Sequence, residues 1–292
     1  MLRLVIPKGS LEEQTLELME AADIRLLRGS GRDYHGTSDD PRIERFSLLR
    51  PQEIPRYVEE GFFDLGLTGL DWIEETGAKV ELVAELPYSK AQVGETVKIV
   101  LAVAESSEIE AADQVSPGSR ISTEYPNLTR RFFEERSIPV RVFLSYGATE
   151  AKVPEIVDAI VDVTETGSTL RRNGMRVIAT LLESPAVLIA NPASWSEPAK
   201  RKAIEEIKVL LFGAVRARGR VLVKLNVREE NLKEVLAVLP SMKAPTVSRL
   251  AEEGFFAVET VVEKQQINLL IPQLSALGAS DILELPITKI VD

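Results

Sequence analysis

At 292 residues, 45% apolar and 27% charged, the chain is long enough for two or three compact domains and can fill their cores without metals or staples. A formal net charge of -10 argues against a general nucleic-acid or anionic-membrane binder, which needs a basic face; anionic small substrates stay open, because a few cations and backbone N–H groups make a pocket locally positive. The absence of cysteine excludes disulfides, thiolate metal sites and cysteine nucleophiles. The opening MLRLVIPKGS has too short an apolar run for a secretory signal, and no stretch reaches the ~20 apolar residues of a membrane span, so a cytoplasmic protein is expected.

Apolar runs and amphipathic segments alternate from the start. Residues 2–7 read as a buried strand. Ser10, with Glu13 three positions on, has the spacing of a capping box and opens a helix. A strand is expected at 43–49, a helix from Pro51 to Gly61 and a strand at 64–68, the rhythm of an open parallel sheet. The middle repeats it, with strands at 97–104, 120–123, 140–144 and 159–163 and a helix at 126–136. Residues 177–182 and 186–190 read as strands returning to the first unit. The expectation is two α/β lobes with a cleft between them, residues 1–100 with 180–217 and residues 101–179. From residue 218 the pattern becomes βαββαβ in about 70 residues, a ferredoxin-like unit. Pro272 falls inside its second expected helix, so that helix either kinks or begins later.

The chemistry concentrates in DAIVDVTETGSTL, residues 158–170. An apolar strand carrying Asp158 and Asp162 runs into Thr164, Glu165, Thr166, Gly167, Ser168 and Thr169. Small hydroxyls and a glycine at the carboxyl end of a strand, entering a helix, make a phosphate cradle of converging N–H groups. Acidic side chains beside it can accept ribose hydroxyls or help hold Mg2+. The same turn also serves as a plain helix cap, and these residues alone leave both open. No lysine follows the glycine and no G-x-G-x-x-G opens the first helix, so neither a Walker loop nor a dinucleotide fingerprint is present.

D-x-I-x-D-x-x-x-T-G-x-T-L resembles the phosphoribosyl diphosphate loop of the ATP phosphoribosyltransferase family, long form. Further landmarks stand in that family's order: LRLVIPKGSL, LRPQEIPRYVEEG, DLGLTGLD, ISTEYPNL, GATE, and in the last unit APTVS and LGASDIL. The resemblance covers essentially the whole chain. It implies an α/β catalytic region of two lobes, like that of periplasmic binding proteins, followed by an ACT-like regulatory domain. It implies transfer of a phosphoribosyl group to N1 of ATP with loss of diphosphate, Mg2+ as cofactor, inhibition by free histidine, and a homo-oligomer from dimer to hexamer. Many members carry arginine where this chain has Ser10, which is therefore read as a helix cap.

By the same resemblance Lys8, Arg50, Gly69, Asp71 and Tyr125 face the nucleotide, and Asp158, Asp162 and Glu150 serve catalysis, with Glu150 and Asp158 as metal ligands. Each has a plainer alternative: a solvated lysine, a surface ion pair for Arg50, a helix cap for Asp71, a packing aromatic for Tyr125, an exposed Glu150. Asn226, Thr246 and Ser280 are candidates for the regulatory histidine, against a plain oligomerisation module. His35, Trp72 and Trp195 are assigned no chemistry. A prephenate dehydratase is the competing enzyme, but its T-R-F signature would have to be Thr129-Arg130-Arg131-Phe132, inside an expected helix. A two-lobed binding protein without turnover is the competing non-enzyme.

Overall fold

Strand β1 (Leu2–Pro7) buries Leu2, Leu4, Val5 and Ile6 almost completely, as a central strand covered on both faces must. The computed structural model describes residues 1–86, 96–240, 242 and 244–291, and the chain divides into two units, Met1–Lys208 and Val209–Asp292. After β1 come α1 (Glu12–Ala21), β2 (Leu26–Leu27), β3 (His35–Ser38), β4 (Ile43–Leu49), α2 (Ile54–Glu59), β5 (Leu65–Gly69), α3 (Leu70–Thr76) and β6 (Glu81–Leu86). The second group is β7 (Val97–Ala104), β8 (Arg120–Thr123), α4 (Pro126–Glu134), β9 (Arg141–Leu144), β10 (Ala159–Thr164), α5 (Ser168–Arg172) and β11 (Met175–Ser184). The unit closes with β12 (Ala186–Ala190) and α6 (Pro192–Ser196), and α7 (Pro198–Ala217) carries the chain into the next unit.

Two sheets result, ordered β2-β3-β4-β1-β5-β12-β6 and β11-β7-β10-β8-β9. In the first, β4, β1 and β5 are parallel, so Lys8, Arg50 and Gly69 all fall at their carboxyl ends, where open α/β sheets bind ligands. In the second, β8 and β10 are parallel and end at Thr123 and Thr164. These are the two expected lobes, with their boundaries corrected. β7 lies wholly in the second sheet, and β11 pairs with it antiparallel from Met175–Ala104 to Ser184–Val97. Only β12 returns to the first sheet, between β5 and β6. Pro185 is the joint, and a single proline between two apolar runs gave no sign that the sheets change there. Ser10 is also corrected: α1 starts at Glu12 with Leu11 at its N-cap and no side-chain cap.

The C-terminal unit contains β13 (Arg220–Arg228), α8 (Glu229–Val238), β14 (Thr246–Arg249), β15 (Phe255–Glu263), α9 (Lys264–Ala276) and β16 (Ser280–Pro286). Its antiparallel sheet has the order β14-β15-β13-β16, the expected ferredoxin-like arrangement. β13 alternates strictly, sending Val221, Val223, Leu225 and Val227 into a core with Val235, Val258, Ile267, Leu270 and Leu274. α9 does not begin after Pro272 but contains it in its interior.

Candidate active site

The carboxyl ends of the two sheets enclose a cavity of about 540 Å³, within the range of small-ligand sites. Lys8, Arg50, Gly69 and Asp71 line it from the first lobe, and Glu124, Tyr125, Glu150, Asp162, Thr164, Glu165, Thr166, Ser168 and Thr169 from the second. Lys8 ends β1 and is bonded to Glu12 at 3.2 Å, while Arg28 reaches the other oxygen of Glu12 at 3.3 Å. The side chain of Arg50 is exposed at the end of β4. This wall is the cationic one.

Gly69 is required by the placement of Asp71. A Cβ at position 69 would stand 2.0 Å from Asp71 Oδ1, because the Asp71 carboxylate folds back over the turn between β5 and α3. Asp71 is 4% exposed and accepts from Ser184 Oγ at 2.6 Å and Tyr125 Oη at 2.8 Å. Its own N–H donates to Ser184 Oγ at 2.9 Å. Burial pushes the Asp71 carboxyl up and the two hydroxyl donors oppose it; burial and the neighbouring Asp71 raise Tyr125 well above its ordinary value. The ring of Tyr125 stacks on Trp72, centroids 4.5 Å apart. Asp71 is thus a buried acceptor and not a helix cap, and Tyr125 is a packed aromatic that also walls the cavity.

In the second lobe, Gly167 sits at the N-cap of α5 with φ +71°, a left-handed conformation that glycine adopts without strain. Thr164 Oγ1 accepts from the Gly167 N–H at 2.8 Å, and Arg171 donates to the Thr166 carbonyl at 3.0 Å, which closes the loop on itself. Three carboxylates face it. Burial above all, then the charges of Glu150 and Glu124, push Asp162 up to about 6, against the opposing N–H bond from Val163. Lys152 secures the segment beside Glu150 by donating to Ser122 Oγ and Ser145 Oγ. Among the described residues no group of three ligating side chains forms a metal cage by itself. Glu124, Glu150 and Asp162 do offer hard oxygens, which Mg2+ takes one or two at a time, completing its shell with phosphates and water.

Asp158 needs correction. It stands before the amino end of β10, six residues from Thr164, and strand geometry puts that about 20 Å from the loop. Its carboxylate is engaged by the Arg120 N–H at 2.7 Å and guanidinium at 2.8 Å, which hold it below the usual carboxylate range. It joins β8 to β10 and lines no part of the cavity. Gly167 is buried behind the lining and acts through backbone shape. His35 lies on β3 against Ser47 Oγ at 2.9 Å, and Trp195 packs under Arg201. Glu124 and Ser184 escaped sequence reasoning: Glu124 lay inside the ISTEYPNL landmark, whereas Ser184 had no local signal, since its role depends on pairing 113 residues from Asp71. In the C-terminal unit Asn226 and Ser280 are register partners, and Asn226 Nδ2 donates to Asp281 at 2.9 Å. Thr246 is on β14, beyond β15 and opposite Glu259, so the three are not brought together within one copy.

Fold and site define a two-lobed α/β protein with a cavity of small-ligand size between facing sheet edges and a ferredoxin-like unit later in its chain. The family model for ATP phosphoribosyltransferase matches residues 50–213, and that for the HisG C-terminal domain matches residues 217–289. The ATP phosphoribosyltransferase of Pelotomaculum thermopropionicum is 48% identical over 99% of both chains, and that of Solibacter usitatus 46% identical over 100% of this chain and 99% of its own. Among solved structures, an ATP phosphoribosyl transferase (HisG:HisZ) complex from Thermotoga maritima matches with a TM-score of 0.60 and 26% identity, over 72% of this chain and 96% of that one. The chain belongs to the ATP phosphoribosyltransferase family.

Proposed function

We propose that the protein transfers the phosphoribosyl group of phosphoribosyl diphosphate to N1 of ATP and releases diphosphate, opening histidine biosynthesis in the cytoplasm. The observation that carries this is the pairing of walls: Lys8 and Arg50 at the ends of β1 and β4 across the cavity from the hydroxyl loop 164–169 and its carboxylates. The cationic wall suits the phosphates of the nucleotide, and Tyr125 with Asp71 borders its base. The loop suits the 5′-phosphate of the ribose donor. Asp162 and Glu150 accept ribose hydroxyls, and their negative charge favours the oxocarbenium-like centre that develops at C1 as the leaving group departs. Adenine N1 attacks with its own lone pair, so no protein nucleophile or strong base is required, and catalysis rests on orientation and charge. Glu150, Asp162 and Glu124 are the side chains that would hold Mg2+, which would supply charge neutralisation for the leaving diphosphate.

The C-terminal unit is the proposed sensor of free histidine, with Asn226 and Ser280 at one end of its sheet. Thr246 would join them only from another copy, consistent with a homo-oligomer of dimers up to a hexamer. The test is diphosphate release from ATP and phosphoribosyl diphosphate, with and without histidine. Release that needs both substrates is expected, and its absence would overturn the activity; release indifferent to histidine would remove only the sensor.

A further inference from the structure

Helix α4 has no cap of its own. Its N-cap residue, Tyr125, makes no side-chain cap bond, and Pro126 has no N–H to satisfy. The next two donors are satisfied from the other lobe: Asn127 N–H reaches both oxygens of Glu75 at 3.0 Å, and Leu128 N–H reaches Oε2 at 2.9 Å. Glu75 is 7% exposed, in the last turn of α3. The same helix gives its Glu75 carbonyl to Asn127 Nδ2 at 3.0 Å and its Glu74 carbonyl to Arg131 at 2.7 Å. Trp72, one turn earlier, is buried among Ile99, Leu101, Val103 and Phe133 of the second lobe. α3 therefore belongs to the first lobe by chain order and is bolted to the second by side chains.

We propose that Glu75 is a positioning residue of the nucleotide pocket: its carboxylate caps α4 from the other lobe and so fixes the helix start at which Tyr125 borders the cavity. A carboxylate at this helix end is favoured by the N–H dipoles, and it fixes the backbone of a turn whose Tyr125 is also held by its N–H on Thr123 Oγ1, its hydroxyl on Asp71 and its ring on Trp72. The loop 164–169 is built on β10 and does not depend on this cap. Loss of Glu75 accordingly loosens the nucleotide wall and leaves the phosphoribosyl diphosphate side intact.

The kinetic part of the test rests on the function proposed above; the spectroscopic part does not. Trp195→Phe leaves Trp72 as the single tryptophan, stacked on Tyr125. In that background Glu75→Ala is expected to shift Trp72 emission to the red and to weaken the response of that emission to ATP about ten-fold, the factor given by about 1.4 kcal/mol of lost cap. KM for ATP should rise by a similar factor, with kcat and KM for phosphoribosyl diphosphate within about two-fold of the parent. Glu75→Gln, which keeps an acceptor oxygen and loses the charge, should fall between, and it serves if the alanine variant does not fold. Parental Trp72 emission and ATP affinity in both variants would overturn the proposal. So would an equal loss in both substrates and in kcat, which marks a general structural role. If the parent released no diphosphate, the ATP titration of Trp72 would still decide.

Discussion

At Gly69 three residues depend on one missing methyl. The Asp71 carboxylate occupies the space a side chain at 69 would take, and from there it binds Tyr125 and Ser184, which come from two different segments of the second lobe. Gly69 has φ -90°, so backbone strain is not what requires glycine there. Gly69→Ala should therefore fold, displace Asp71, and leave a buried carboxylate with poorer partners. A stability loss of about 1–3 kcal/mol is expected, the range for buried polar groups that lose hydrogen bonds. The nucleotide side should suffer more than the other, so steady-state kinetics should show KM for ATP rising by about ten-fold or more. Normal ATP kinetics would mean that the Asp71 network does not shape the pocket. The sequence pointed to Gly69, Asp71 and Tyr125 separately, through their positions after strands and in family landmarks. It could not show that they form one network, because Ser184, the fourth member, is joined to them only by the fold.

On the scale of single elements, β10 separates two aspartates that look alike in sequence. Asp158 and Asp162 are four residues apart, one just before β10 and one within it, and the expectation gave both to catalysis. The structure divides them by position along the strand. Asp158 ties the start of β10 to Arg120, and Asp162 reaches the cavity beside Glu150. A solvent-screened pair such as Asp158 with Arg120 contributes little to stability. Asp158→Asn should then cost little stability and leave both KM values unchanged. Asp162→Asn should instead weaken phosphoribosyl diphosphate, with a rise in its KM or a fall in kcat of about ten-fold or more. Kinetics of the two variants side by side check this, and a larger effect from Asp158 would reverse the assignment. The loop was legible because its signal is local: hydroxyls and a glycine in consecutive positions after a strand. The lobe boundaries were less so, since β11 and β12 are both apolar and only long-range pairing assigns them to different sheets.

For the whole catalytic unit, the consequential fact is that the first lobe is discontinuous, leaving its sheet after β6 and re-entering at β12. Asp64 secures that return. It is 1% exposed, receives Arg3 through its N–H at 2.8 Å and its Nε at 3.0 Å, and binds Ser194 Oγ at 2.7 Å and Lys200 Nζ at 3.0 Å. The start of the chain, the entry to β5, and α6 with α7 thus meet on one carboxylate. They meet at the amino end of β1, opposite the edge that carries Lys8. Burial alone would raise the Asp64 carboxyl, but the bonds from Arg3, Ser194 and Lys200 outweigh it and hold the group far below its ordinary 3.8. The sign follows from proton binding. The unfolded chain takes up the Asp64 proton near pH 4 and the folded chain only well below that, so the stabilisation is complete above the unfolded value and declines as pH falls through it. Asp64→Asn, which cannot titrate, should be less stable than the parent by about 2–3 kcal/mol at pH 7, and the gap should narrow at pH values below about 4. Urea unfolding of both proteins across that range measures the gap directly. A gap that stays constant with pH would show that Asp64 acts through shape and hydrogen-bond count and not through its charge. Since the cluster lies at the edge opposite the cavity, KM for both substrates should stay at the parental value wherever the variant is folded.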